Sequence, residues 1–204
     1  MANVDTVIFD IGNVLIRWDM RNLYRRLFKT DGEIADFLDE TGIEAENEKF
    51  DAGKPFATGT AELAARFPHH REALLAFDSR WADCLDGAIA ENVAVLAGLQ
   101  KAGTTVHAIT NFSAEKFPVA CRMFPFLMTF EETIVSGAVK LVKPDPAIYR
   151  ILIERRKIDP ARAVFIDDSA ANIATARSLG LNAIHFAGDA DVRRSLQALG
   201  VAGV

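Results

Sequence analysis

Two apolar runs in this chain end on acid. Val7-Ile8-Phe9 leads into Asp10, and Ala163-Val164-Phe165-Ile166 leads into Asp167-Asp168. Short continuous apolar runs of this kind read as strands covered on both faces. Two such strands that deliver carboxylates at their C-terminal ends predict one shared site at one rim of a sheet, where open α/β sheets bind their ligands. Carboxylates crowded together cannot all stay ionised unaided. The grouping therefore points to metal-assisted chemistry centred on Asp10. Two more segments add polar groups: Thr110-Asn111 after a third apolar run, and Lys143 in Val142-Lys143-Pro144-Asp145-Pro146, where two prolines stiffen the backbone.

The elements that must position these residues show in the hydrophobic pattern. Strands are expected at Thr6–Phe9, Thr105–Ile109, Val164–Ile166 and Ala183–Phe186. Helices are expected over 89–101, with Ile89, Val93, Leu96 and Leu99 at helical spacing and Gly103 as a stop, and over 145–157 and 170–179. Alternating helix and strand predicts an α/β chain with a doubly wound, Rossmann-like parallel sheet. Residues from about 20 to 86 break the rhythm. They show no convincing strand but several helical patterns, among them Leu23/Leu27/Phe28, Ile34/Phe37/Leu38 and Leu63/Ala64/Phe67, separated by turn signals such as Asp31-Gly32 and Thr41-Gly42. The expected division is an α/β core of residues 1–17 and 87–204 with a helical insert, 18–86, after the first strand. The aromatic residues of that insert are expected to pack its helices rather than to stack on a ligand.

With 204 residues, half of them hydrophobic, the chain has ample material for a packed core. Its net charge of −5 and the lack of a basic run disfavour nucleic acid as a partner. Neither a signal peptide nor an apolar run long enough to cross a bilayer is visible. Cys84 and Cys121 lie far apart with no C-x-x-C pattern, and a reduced, cytoplasmic protein with no membrane partner is the expectation.

Asp10 with Gly12, Thr110-Asn111, Lys143-Pro144 and Asp167-Asp168, in that order, resemble the motifs of the haloacid dehalogenase superfamily, a group dominated by phosphate-monoester hydrolases. The insert looks like the small helical cap that many members carry. The resemblance implies that Asp10 attacks phosphorus to form an aspartyl-phosphate, that Thr110 bonds a phosphoryl oxygen, and that Asn111 faces substrate or nucleophile. It also implies that Lys143 offsets charge on both reacting partners. Mg²⁺ would be held by Asp10, Asp168 and the Gly12 carbonyl, with Asp167 and Asn172 supporting from behind and Ser169 capping the next helix. The partner implied is a small phosphorylated metabolite.

One position departs from the family pattern. Phosphatases of the superfamily read Asp-x-Asp after the first strand, and the second Asp protonates the leaving alcohol; here that residue is Gly12. General acid help is typically worth ~10²–10⁴-fold. Rates should then fall steeply with leaving-group basicity, unless another group supplies the proton; Asp19, His69 and His70 are the candidates. The missing acid also raises a metal-independent 2-haloacid dehalogenase as an alternative, since halide leaves without a proton. Against it, Asp167-Asp168 would sit beside Asp10 at a cost if no cation were bound. A third alternative is a non-catalytic phospholigand-binding regulatory protein, which would have no need of a poised nucleophile.

Overall fold

In the computed structural model, residues 4–187 and 191–204 are described. The elements run β1 (Thr6–Phe9), β2 (Ile16–Trp18), α1 (Met20–Tyr24), α2 (Asp31–Thr41), α3 (Ile43–Asp51), α4 (Phe56–Arg66), α5 (Arg71–Ser79) and β3 (Leu85–Ala88). There follow α6 (Ala90–Lys101), β4 (Thr105–Thr110), α7 (Phe117–Met123), β5 (Glu132–Val135), α8 (Ser136–Val139), α9 (Pro146–Arg156), β6 (Ala163–Asp167), α10 (Ala170–Ser178), β7 (Asn182–His185) and α11 (Val192–Ala198).

Five strands form a parallel sheet in the order β5-β4-β1-β6-β7. β1 is central and wholly buried, as its unbroken apolar run requires. Side chains alternate between its faces. Val7 and Phe9 join one core with Val95, Leu96 and Leu99 of α6, while Ile8 joins a second with Ile148 and Leu152 of α9 and Ile173 of α10. Helices thus cover both faces of the sheet, the doubly wound arrangement. Phe9 pairs with Ala108 on one side and Ile166 on the other. That register brings Asp10, Thr110 and Asp167-Asp168 to the same C-terminal edge.

β5 escapes the sequence reading because only Ile134 and Val135 of its four residues are apolar. Between β1 and β4 lies a second, two-stranded antiparallel sheet, β2 with β3, in which Trp18 pairs with Leu85 and Ile16 with Ala88. It brings the entry and exit of the helical insert side by side. The expected boundaries 17/18 and 86/87 both fall inside these strands, and β3 corrects the strand-free reading up to residue 86.

Within the insert, Thr30 and Glu33 form a capping box at the start of α2. Gly42, in the left-handed region at φ 64°, ends α2 and opens α3. Tyr24, Phe37, Phe50, Phe56 and Phe77 are fully buried and pack ring on ring, with centroids 4.2 Å apart for Phe50–Phe56 and 4.6 Å for Tyr24–Phe37. Most of the insert's aromatic content is therefore core.

Candidate active site

Asp10 follows directly on β1. Its backbone N–H donates to the Ile166 carbonyl at 2.8 Å, continuing the ladder to β6, so the carboxylate is fixed to the sheet edge. Oδ1 accepts from the Ile11 amide at 2.7 Å and lies 2.8 Å from Lys143 Nζ. Burial pushes the Asp10 carboxyl up to about 7; the Lys143 ammonium opposes this and the Asp167 carboxylate adds to it.

Lys143 is buried between two acids, its Nζ also 2.6 Å from Asp167 Oδ2. Burial works against its charge, but Asp10 and Asp167 outweigh that and hold the ammonium above its ordinary value. Asp167 is fully buried at the end of β6, where its carboxylate also accepts from the Ser169 amide (2.8 Å) and from Asn172 Nδ2 (2.9 and 3.0 Å). With these partners Asp167 anchors the lysine. Asn172 sits in the first turn of α10, whose N-cap is Ser169. Its carbonyl accepts from the Tyr149 hydroxyl at 3.2 Å.

Asn111 clasps the backbone of Lys143 from both sides. Its Nδ2 donates to the Lys143 carbonyl at 2.9 Å and its Oδ1 accepts from the Lys143 amide at 2.8 Å. The side chain thus positions the lysine, where the family resemblance implies that it faces substrate or nucleophile. Thr110 is almost wholly buried, and its hydroxyl has no hydrogen-bond partner among the described residues. An orphaned hydroxyl at this edge is suited to an incoming oxyanion.

A cavity of about 210 Å³ opens over this edge. Asp10, Gly12, Asn111, Lys143, Asp168 and Asn172 line it; Thr110 and Asp167 lie behind them. Asp168 is exposed at the cavity's surface, but the protein around it partly desolvates its carboxyl and, with the neighbouring Asp167, pushes it upward. One carboxylate oxygen from each of Asp10, Asp167 and Asp168 lies within 4.8 Å of the others. Hard oxygen donors so close together, with two of the carboxyls driven toward protonation, fit a divalent cation such as Mg²⁺.

The same cavity is lined by residues that the sequence pattern does not single out: Asn13, Trp18, Asn47, Asp51, Trp81 and Ser113. Asn47 and Asp51 lie on α3, a mostly charged helix whose buried apolar side chains are Ile43 and Phe50. The three candidate proton donors are elsewhere. Asp19 caps α1 through the Arg21 amide, and His69 and His70 pair with Glu40 at 2.9 and 3.1 Å. None lines the cavity.

A sequence profile of the haloacid dehalogenase-like hydrolases matches residues 4–180. The chain belongs to that family, and its mostly parallel five-stranded sheet with flanking helices is the family's α/β fold. Among curated proteins it is 26% identical over 200 residues to a drimenol cyclase from Aspergillus calidoustus, covering 95% of this chain and 36% of that one. It is 31% identical over 105 residues to bifunctional epoxide hydrolase 2 of Rattus norvegicus, covering 50% of this chain and 19% of the relative. The chain thus spans about a third of the first relative and a fifth of the second. Among solved structures, a HAD family enzyme from Bacteroides thetaiotaomicron superposes with a TM-score of 0.72 at 22% identity, over 95% of this chain and 98% of that one. The complex of that enzyme with magnesium and inorganic phosphate gives 0.69, over 94% and 98%, also at 22% identity. An L-2-haloacid dehalogenase from Xanthobacter autotrophicus, with chloropropionic acid covalently bound, gives 0.66 at 15% identity, over 98% and 84%. Among the described residues no helix is long and apolar enough to cross a membrane.

Proposed function

We propose that the protein hydrolyses a small phosphate monoester with the help of Mg²⁺, through an aspartyl-phosphate at Asp10. The observation that carries this reading is the cluster of Asp10, Asp167 and Asp168, of which the first two pair with one buried ammonium. Three carboxylates to one lysine leave a negative excess, which suits a site that takes up a cation before its substrate. Asp10, Asp168 and the Gly12 carbonyl would hold Mg²⁺, which supplies positive charge against the carboxylates and the phosphoryl oxygens.

The chain's own residues divide the remaining work. Asp10 presents Oδ2 as the nucleophile, because Oδ1 is engaged by the Ile11 amide and Lys143. The phosphorus–oxygen bond to the leaving group breaks as the Asp10 oxygen bonds to phosphorus, and water then cleaves the acyl phosphate and releases inorganic phosphate. Lys143 stays charged throughout and balances the phosphoryl oxygens, with Asp167 and Asn111 fixing its position. Thr110 supplies its unpaired hydroxyl to one of those oxygens. The insert is read as a cap over the cavity, residues 18–86 in the proposed division, whose wall selects the substrate. A small phosphorylated metabolite fits a cavity of about 210 Å³. A reducing cytoplasm suits Cys84 and Cys121, both buried and unpaired.

Gly12 favours a second reading, hydrolysis of a 2-haloacid, in which halide leaves without a proton. Assaying phosphate release from a panel of phosphorylated metabolites, with Mg²⁺ and with chelator, separates the two. Mg²⁺-dependent phosphate release supports the phosphatase. Halide release that persists in chelator supports the dehalogenase.

A further inference from the structure

We infer that Asp51, at the end of α3 in the helical insert, is the general acid that protonates the leaving oxygen in place of the side chain Gly12 lacks. The inference rests on the phosphatase reading of Asp10. Three carboxylates line the cavity: Asp10, Asp168 and Asp51. The first is the nucleophile and the second the proposed metal ligand, both on the sheet edge. Lys143 also lines it, but that ammonium is held by two carboxylates and stays charged. Asp51 is therefore the titratable group on the wall that is left without a role, and it reaches the cavity from the insert. Attack by Asp10 requires the leaving oxygen to point away from the sheet edge, roughly in line with the attacking oxygen. Asp51 lines the same cavity from the insert, so it can reach an oxygen that points into that cavity away from Asp10.

Asp51 is held firmly enough for the task. Its carbonyl accepts from Ser136 Oγ at 2.6 Å, and the same hydroxyl oxygen accepts from the Phe112 amide at 2.8 Å. Its carboxyl accepts from Asn47 Nδ2 at 3.2 Å and from the Ser113 amide, in the loop that also carries Asn111. Among the described residues no cation pairs with it. Burial pushes the carboxyl up to about 7; the Ser113 and Asn47 hydrogen bonds pull the other way, and Glu48 on the same helix adds to the rise. The other charged groups around it are Lys140, whose Cγ flanks Gly53, and Asp10, Lys143 and Asp168 on the cavity wall. An acid poised near neutral pH is partly protonated there and transfers its proton readily.

The cycle balances. As the Asp10 oxygen bonds to phosphorus and the ester P–O bond breaks, the Asp51 proton passes to the leaving oxygen, which departs as an alcohol. Asp51, now a carboxylate, accepts a proton from the water that attacks the aspartyl-phosphate. Phosphate leaves, Asp10 is regenerated and Asp51 is protonated again.

The test is a series of single-turnover rates over acyl, aryl and alkyl phosphates, with saturating Mg²⁺. The unmodified protein should show a shallow dependence on leaving-group basicity. In Asp51→Asn, which keeps an acceptor for the Ser113 and Asn47 donors but has no acidic proton, the ratio of acyl to alkyl phosphate rates should rise about 10²–10⁴-fold. That ratio is taken within one preparation, so a partly unfolded sample does not change it. Adding Gly12→Asp to Asp51→Asn should restore the alkyl rate in part, since a Cβ at Gly12 meets nothing within 4 Å. A steep dependence in the unmodified protein, or an Asp51→Asn ratio equal to that of the unmodified protein, overturns the assignment of Asp51 alone. Phosphate release from no ester at all overturns the phosphatase reading, and this inference with it.

Discussion

Lys143→Met tests the electrostatic core of the site without reference to any substrate. Lys143 Nζ lies 2.8 Å from Asp10 Oδ1 and 2.6 Å from Asp167 Oδ2, and all three side chains are nearly or wholly buried. Methionine keeps most of the volume and removes the charge, leaving two buried carboxylates facing each other. Breaking a buried pair by removing one partner costs about 3–5 kcal/mol. Here one ammonium serves two acids, so the upper end, about 5 kcal/mol, is expected. For a chain of this size, with about 2–4 °C per kcal/mol, that is a fall in Tm of about 10–20 °C.

The loss should depend on pH with a definite sign. The Asp10 carboxyl is raised from 3.8 to about 7 in the folded state. A carboxyl raised on folding contributes stability that is fully present below 3.8 and is lost as pH rises through about 7. Removing the ammonium raises it further, so the deficit of the variant should be largest at pH 8 and shrink steadily toward pH 5. Lys143 itself is held above its ordinary value and does not titrate in this window. Thermal unfolding of both proteins at pH 5 and pH 8, in chelator so that no cation replaces the ammonium, measures this. A variant within about 1 kcal/mol of the unmodified protein at pH 8, or an equal deficit at both pH values, would refute the argument.

Asp10→Asn should abolish turnover and leave the metal-free protein at least as stable at pH 8, since it removes a carboxylate that burial disfavours; activity near that of the unmodified protein would exclude Asp10 as nucleophile. Asp168→Ala should weaken Mg²⁺ binding about tenfold or more by calorimetry, while leaving the Lys143–Asp167 pair intact. Gly137→Ala should cost about 1–3 kcal/mol in denaturant unfolding, because the new Cβ falls 2.6 Å from the Ala114 amide nitrogen and 2.9 Å from the Phe112 carbonyl oxygen. Unchanged stability would show that the loop carrying Asn111–Ser113 yields freely.

The strands that carry the chemistry are the most legible part of the sequence. β1 and β6 are buried on both faces and show as unbroken apolar runs, β4 as one interrupted by the buried His107, and a polar residue at the end of such a run can lie only at an edge. That is why the order of residues alone groups Asp10, Thr110 and Asp167 at one site. The signal weakens at the edges of the sheet: β7 still shows at Ala183–Phe186, but β5, with a single neighbour and only Ile134 and Val135 apolar, does not. The partnerships at the site are also hidden. Asn111 spends its amide on the backbone of Lys143, and Asp167 spends its carboxylate on three donors. The contacts that Lys143 makes with Asn111 and Asp167 join residues distant in the chain, and no local pattern encodes them.

The same reasoning explains why Asp51 is silent in the sequence while Asp10 is not. Asp10 is marked by the strand before it. Asp51 ends a short helix rich in Glu, Asn and Lys, where another acid reads as a solvated surface residue. What changes its chemistry is tertiary: Phe50 beside it is fully buried against Phe56, and the end of α3 is tied to Ser136 at the start of α8, whose hydroxyl also holds the loop after β4 through the Phe112 amide. Burial then converts an ordinary side chain into one that holds its proton near neutral pH. Chemistry on the sheet edge follows from strand register, which sequence periodicity records. Chemistry contributed by the insert follows from how the insert docks, which it does not.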